Sequence, residues 1–106
     1  MLTDKITNAT ARAAIDALQS GNKAAWSALF DSNAQLFDDG QPRDLHHFTE
    51  EALGHERFTS IDAVENGGLN LTGHFHSDQW GEFRTYFLFK LSGAGKIVRL
   101  DIGQAD

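Results

Sequence analysis

Phe83-Arg84-Thr85-Tyr86-Phe87-Leu88-Phe89-Lys90-Leu91 runs into Ser92-Gly93-Ala94-Gly95 and then into Lys96-Ile97-Val98-Arg99-Leu100-Asp101-Ile102. Phe83, Thr85, Phe87, Phe89 and Leu91 fall at every second position, the period of a strand with one face turned to a core. Four small turn-forming residues follow, so the stretch reads as two antiparallel strands joined by a tight turn. Upstream, residues 57–64 and 69–76 flank Asn66-Gly67-Gly68, which tolerate positive φ and predict a second hairpin. Four long strands therefore occupy the C-terminal half.

The N-terminal third carries a different period. Ala11, Ala14, Ile15 and Leu18 recur at helical spacing, and Gly21 stands where a C-terminal cap belongs. Asn22 is placed to cap a second helix, with Ala25, Trp26, Leu29 and Phe30 as its apolar stripe. Residues 34–38 read as a short strand that Asp39-Gly40 turns. Pro42 then suits the first turn of a brief third helix running to about Glu51. Helices followed by a run of strands define an α+β fold, and 106 residues without repeats or linkers predict a single domain over 1–106.

Composition removes several classes of function. With 41% hydrophobic residues and eight Phe, the chain is built to bury a core rather than to remain disordered. It has no cysteine, so disulfides and thiolate metal sites are excluded. A net charge of −6 opposes nucleic-acid binding by counterion release and docking on anionic membranes. Neither a secretory leader nor an 18-residue apolar run is visible, which predicts a cytoplasmic protein with no membrane partner.

The order of these elements and two local stretches resemble the NTF2-like (SnoaL-like) family. Leu29-Phe30-Asp31-Ser32-Asn33-Ala34-Gln35-Leu36-Phe37-Asp38 is similar to that family's passage from second helix to first strand, and residues 86–98 are similar to its last hairpin. The resemblance spans nearly the whole chain, although its motifs encode turns and packing rather than chemistry. It implies an NTF2-like cone, with N-terminal helices packed on a curved mixed or antiparallel sheet around a cavity. It also implies homodimerisation through the outer face of the sheet. Ketosteroid isomerases, polyketide cyclases, epoxide hydrolases and non-catalytic association domains share this architecture, so the fold alone does not choose among them.

Aligned on the isomerases, Asp38 falls at the proton-shuttling aspartate, and is the candidate catalytic residue. The two donors that would stabilise a dienolate are replaced by Ala14 and Phe87. Loss of one such donor typically costs about 2.7–4 kcal/mol of transition-state stabilisation, so losing both argues against steroid isomerisation. The plainer reading of Asp38-Asp39-Gly40 is a solvated turn. If the resemblance holds, Trp26, Phe30, Phe83, Phe87, Phe89, Leu100 and Ile102 line either a ligand pocket or a filled core. The expected function is binding of a small apolar molecule, with isomerase, cyclase or hydrolase-like chemistry in reach and no cofactor. The alternative is a non-catalytic homodimeric association module.

A third reading is metal binding of the cupin type. Gly68-x5-His74-x-His76 matches the start of that motif, and two residues apart on a strand the imidazoles share a face. Glu82 comes one position too late for the acidic ligand, and Phe89 stands where a glycine belongs. Asn70 and Thr72 lie on the same side, so a polar outer face explains the histidines equally well. His46 and His47 are adjacent on a helix and diverge by about 100°, which disfavours joint chelation.

Overall fold

A computed structural model describes residues 2–105, with α1 at Ala9–Ser20, α2 at Lys23–Ala28 and α3 at Leu45–Ala52. The strands are β1 (Phe30–Asp38), β2 (Gln41–Arg43), β3 (Glu56–Glu65), β4 (Asn70–Ser77), β5 (Gly81–Leu91) and β6 (Ile97–Gln104). They form one sheet in the order β2-β1-β6-β5-β4-β3. All neighbours are antiparallel except β1 and β6, so the sheet is mixed. The three helices pack on one of its faces, which is the α+β architecture the periodicities predict.

Local chemistry sets the helix ends. Asn8 accepts the Ala11 N–H, Asn22 that of Ala25 and Asp44 that of His47, each satisfying a donor that the first helical turn leaves orphaned. Gly21 adopts φ 68° and closes α1. The inner face of α1 buries Ala11, Ala14, Ile15 and Leu18. From the same helix, Gln19 reaches the edge strand β3, where its carboxamide donates to the Phe58 carbonyl at 2.9 Å and accepts the Phe58 N–H at 2.8 Å.

Two register shifts bend the sheet between Phe58 and Ser60 and between Ile61 and Ala63, where β3 carries more residues than β4. Gly73 faces this stretch, and a Cβ there would collide with the Ser60 carbonyl. Curvature of the β3–β4 ribbon toward the helices therefore depends on a residue without a side chain.

Two expectations are corrected. Pro42 lies in β2, opposite Phe37, and not in a helix. β2 is an edge strand, where the missing N–H is tolerated, and the helix begins only after the Asp44 cap. Phe30 belongs to β1 rather than to the second helix. α2 stops at Ala28, and Phe30 pairs with Ile97 on β6.

Candidate functional site

The helices cover only part of the concave face. At the uncovered end, the chain leaves a cavity of about 430 Å³ open to solvent on one side. Its floor is aromatic, because inward positions of β4 and β5 bring Phe75, Phe83 and Phe87 together, with Ile102 from β6 beside them. Phe75 stands 5.7 Å from Phe83 and 5.8 Å from Phe87, and Phe58 backs them with an edge contact to each of Phe75 and Phe87. Phe48 on α3 lines the roof.

The rim is polar. Asp38, Asp39 and Arg43 project from the β1–β2 hairpin, Glu56 opens β3, Trp80 comes from the β4–β5 connection and Glu82 from the start of β5. The hairpin is held in place by β6: the Asp39 N–H donates to the Ile102 carbonyl at 2.9 Å, and Asp39 Oδ1 accepts the Gln104 N–H at 3.0 Å. Arg43 donates to Asp38 Oδ2 at 2.7 Å and to Glu51 Oε1 at 3.1 Å while lying 5.0 Å over the Phe48 ring. One guanidinium thus joins the hairpin, α3 and the cavity roof.

Glu56 is the cavity carboxylate whose environment opposes its charge. It sits opposite Ser77 in the β3–β4 ladder and accepts that hydroxyl's proton at 2.8 Å. Burial pushes its carboxyl above the ordinary carboxylate range, and the bond from Ser77 and the charge of Arg43 only partly oppose that. Ser77, fully buried, also accepts the N–H groups of Gln79 and Trp80, so the turn carrying Trp80 is anchored to the same hydroxyl. Trp80 itself is 70% exposed at the mouth.

The residues singled out from the sequence divide. Asp38, Phe83, Phe87 and Ile102 meet at the cavity. Trp26, Phe30, Phe89 and Leu100 do not line it. Trp26 is wholly buried behind Phe48, its indole N–H donating to Thr49 at 3.1 Å, with Phe30 packed 5.0 Å away. Phe89 and Leu100 pair with each other one inward position beyond Phe87 and Ile102, where core side chains fill the space. The strands carry the pattern faithfully, but a cone has an open and a closed end, and inward parity does not tell them apart.

His74 and His76 share the outer face and bond different acids. His74 approaches Asp62 at 2.9 Å, and His76 bonds Glu82 and, at 3.0 Å, Asp78. Hydrogen bonds to Glu82 and then Asp78 raise the His76 pKa above the usual imidazole value. Among the described residues, no group of three or more His, Asp or Glu side chains is arranged to hold a metal ion. Residues that the sequence reading passed over are Arg43, Phe48, Glu56 and Phe75, while Thr85 was read as an inward position of its strand but not as part of a site. Strand parity held a signal for two of them, since Glu56 is two residues before inward Phe58 and Phe75 is two after Gly73.

No protein-family model matches the chain, and no curated protein matches it in sequence. Solved structures match its fold. A candidate ketosteroid isomerase from Kribbella flavida superposes with TM-score 0.75 at 15% identity, covering 94% of this chain and 78% of that one. An NTF2-like protein of unknown function from Cytophaga hutchinsonii gives 0.73 at 14% identity, with 91% and 87% covered. The canthaxanthin-binding orange carotenoid protein of Anabaena gives 0.70 at 17% identity over 90% of this chain, which spans 35% of that longer protein. The chain therefore has the NTF2-like fold, with helices on a curved mixed sheet.

Proposed function

We propose that this chain binds a small, largely apolar molecule in the cavity between α3, the β1–β2 hairpin and the concave sheet. The observation that carries this is the cavity itself. At about 430 Å³, with aromatic side chains below and a few polar groups at its rim, it has the size and lining of a small-molecule site. A purely associative module has no need of an open, ring-lined interior. Arg43 occupies one oxygen of Asp38, so in this reading Asp38 orients the hairpin and the ligand's edge.

Any proton transfer falls to Glu56, which is held in a less polar setting beside the rings. The single tyrosine of the chain, Tyr86, alternates with Phe87 onto the opposite face and supplies no hydroxyl to the cavity. An enolate would meet rings and carboxylates there, which disfavours isomerisation of the steroid type.

The test uses the neutral, environment-sensitive dye N-phenyl-1-naphthylamine. Saturable one-site fluorescence enhancement is expected for the native chain. It should be lost in Ile102→Trp, which fills the floor, while the far-ultraviolet circular dichroism stays unchanged. Absence of saturable binding to the native chain would overturn the proposal.

A further inference from the structure

Four carboxylates border the cavity, those of Asp38, Asp39, Glu56 and Glu82; His76 holds Glu82 from the outer face of the sheet, and among the described residues Arg43 is the one cation in the lining itself. That guanidinium is already committed to Asp38, Glu51 and the face of Phe48. Two hydroxyl donors at the cavity are committed too, Thr85 to the Gly103 carbonyl at 2.6 Å and Ser77 to Glu56 at 2.8 Å, while the Tyr86 hydroxyl lies near Asp39 on the outer face of Gly103. What the wall still offers is acceptor capacity, because a carboxylate takes more than one hydrogen bond, together with the faces of aromatic rings.

Both features favour the same kind of guest. A ring face attracts a cation through its quadrupole, and a carboxylate beside an apolar surface gains most from a partner that neutralises it. An anionic guest would have to face the carboxylates without a spare positive group. A neutral guest would fill the apolar floor and leave the rim unmatched.

We propose that the cavity selects an organic ammonium ion with an aromatic or aliphatic body, the N–H donors meeting Glu56 and the oxygens of Asp39 and Glu82 that Gln104 and His76 leave open, and the body lying on the phenylalanines. This rests on the small-molecule reading above and adds the ligand's charge to it. The overall charge of −6 assists by drawing cations toward the opening.

Three probes of matched shape separate the outcomes: 2-phenylethylammonium, its neutral isostere propylbenzene, and the anion 3-phenylpropanoate. Each is titrated at pH 7.5 and low salt, with the Trp80 indole N–H followed by NMR. The ammonium ion is expected to bind at least about ten-fold more tightly than propylbenzene, with the anion weakest. In Glu56→Gln combined with Glu82→Gln the ratio of the two affinities should shrink to about three-fold or less. Equal affinity of the cation and the neutral probe, tighter binding of the anion, or a preference that survives both substitutions would overturn the charge assignment and leave the binding site standing. Failure of all three probes, together with failure of the naphthylamine dye, would remove the site itself.

Discussion

Asp38 and Arg43 form a pair whose two halves have unequal structural duties. Arg43 makes three contacts: a 2.7 Å bond to Asp38, a 3.1 Å bond to Glu51, and a 5.0 Å approach to the Phe48 ring. Asp38 loses only the first of these when it is removed. The two side chains are 35% and 32% exposed, so solvent screens the pair and its worth stays at about 1 kcal/mol or below. The more exposed bond to Glu51 adds about 0.5 kcal/mol and the ring contact about 0.5–1 kcal/mol. Asp38→Ala should therefore destabilise the fold by about 1 kcal/mol or less, and Arg43→Ala by about 2 kcal/mol. In a chain of this length about 2 kcal/mol corresponds to a melting shift on the order of 10 °C. The assay is urea unfolding at pH 7 and low salt, followed by fluorescence of the two tryptophans. Raising the salt should narrow the gap, because deleting Arg43 leaves Asp38, Glu51 and Glu56 facing one another without a counter-charge. Equal losses for the two variants would refute the reasoning. So would an Asp38→Ala variant that fails to fold, since Asp38 would then be a structural residue rather than a ligand-facing one.

Trp80→Ala should leave unfolding free energy within about 0.5 kcal/mol of the native chain while weakening the ammonium probe several-fold, and a large loss of stability would show that the exposed indole holds the turn rather than the ligand. Glu56 has a raised pKa in the folded state, so the native chain takes up its proton more readily than the unfolded one, and its charged form is the less stable. Glu56→Gln should accordingly be at least as stable as the native chain at neutral pH, with the difference closing as pH falls through the raised value toward about 4.5; melting curves across that range check the sign, and a gap that widens on acidification would contradict it. His76 shares that sign of pH dependence, but here the protonated form is the charged and stabilised one: with its folded pKa raised, its contribution is complete below the ordinary imidazole value and lost as pH rises through the raised one, so His76→Gln should flatten the melting temperature in that window. Gly68 adopts φ +103° and a Cβ there would run into the Ile6 side chain, so Gly68→Ala should cost about 2 kcal/mol or more in thermal unfolding, and an unchanged melting temperature would show that Ile6 can yield.

Elements whose signal is local were legible in the sequence. The period-two run over Phe83 to Leu91 becomes β5, and Asn8, Asn22 and Gly21 cap the first two helices because one side chain or one αL residue suffices for each. Where tertiary partners compete with local preference, the reading slips. Pro42 favours a helix start only if nothing pairs with its neighbours, but β1 offers an edge on which the missing N–H costs nothing. Phe30 continues the apolar stripe of α2 on paper, yet its pairing with Ile97 extends β1 by a turn's worth of residues and takes it out of the helix. The parallel pairing of β1 with β6 joins residues more than sixty apart, a contact that no window of sequence contains.

The site was less legible than the fold, for a geometric reason. Alternation tells which side of the sheet a residue faces, and it assigned Phe83, Phe87, Phe89, Leu100 and Ile102 to the same side. It does not tell how far the helices reach along that side. Phe87 and Phe89 are two positions apart, about 6.6 Å along the strand, and only the first meets open space. The helix boundary matters as well, because α3 starts after the Asp44 cap and not at Pro42, and carries Phe48 to the roof of the open end. Glu56 was hidden by the same uncertainty at the opposite boundary, since placing the strand start at Arg57 leaves the preceding carboxylate in a loop. Extending β3 by that single residue puts Glu56 in phase with Phe58 and opposite Ser77, beneath the turn that carries Trp80. A shift of one residue in a strand boundary thus decides whether the chain has a solvated acid or a half-buried one among rings. The chemistry of the cavity turns on that difference.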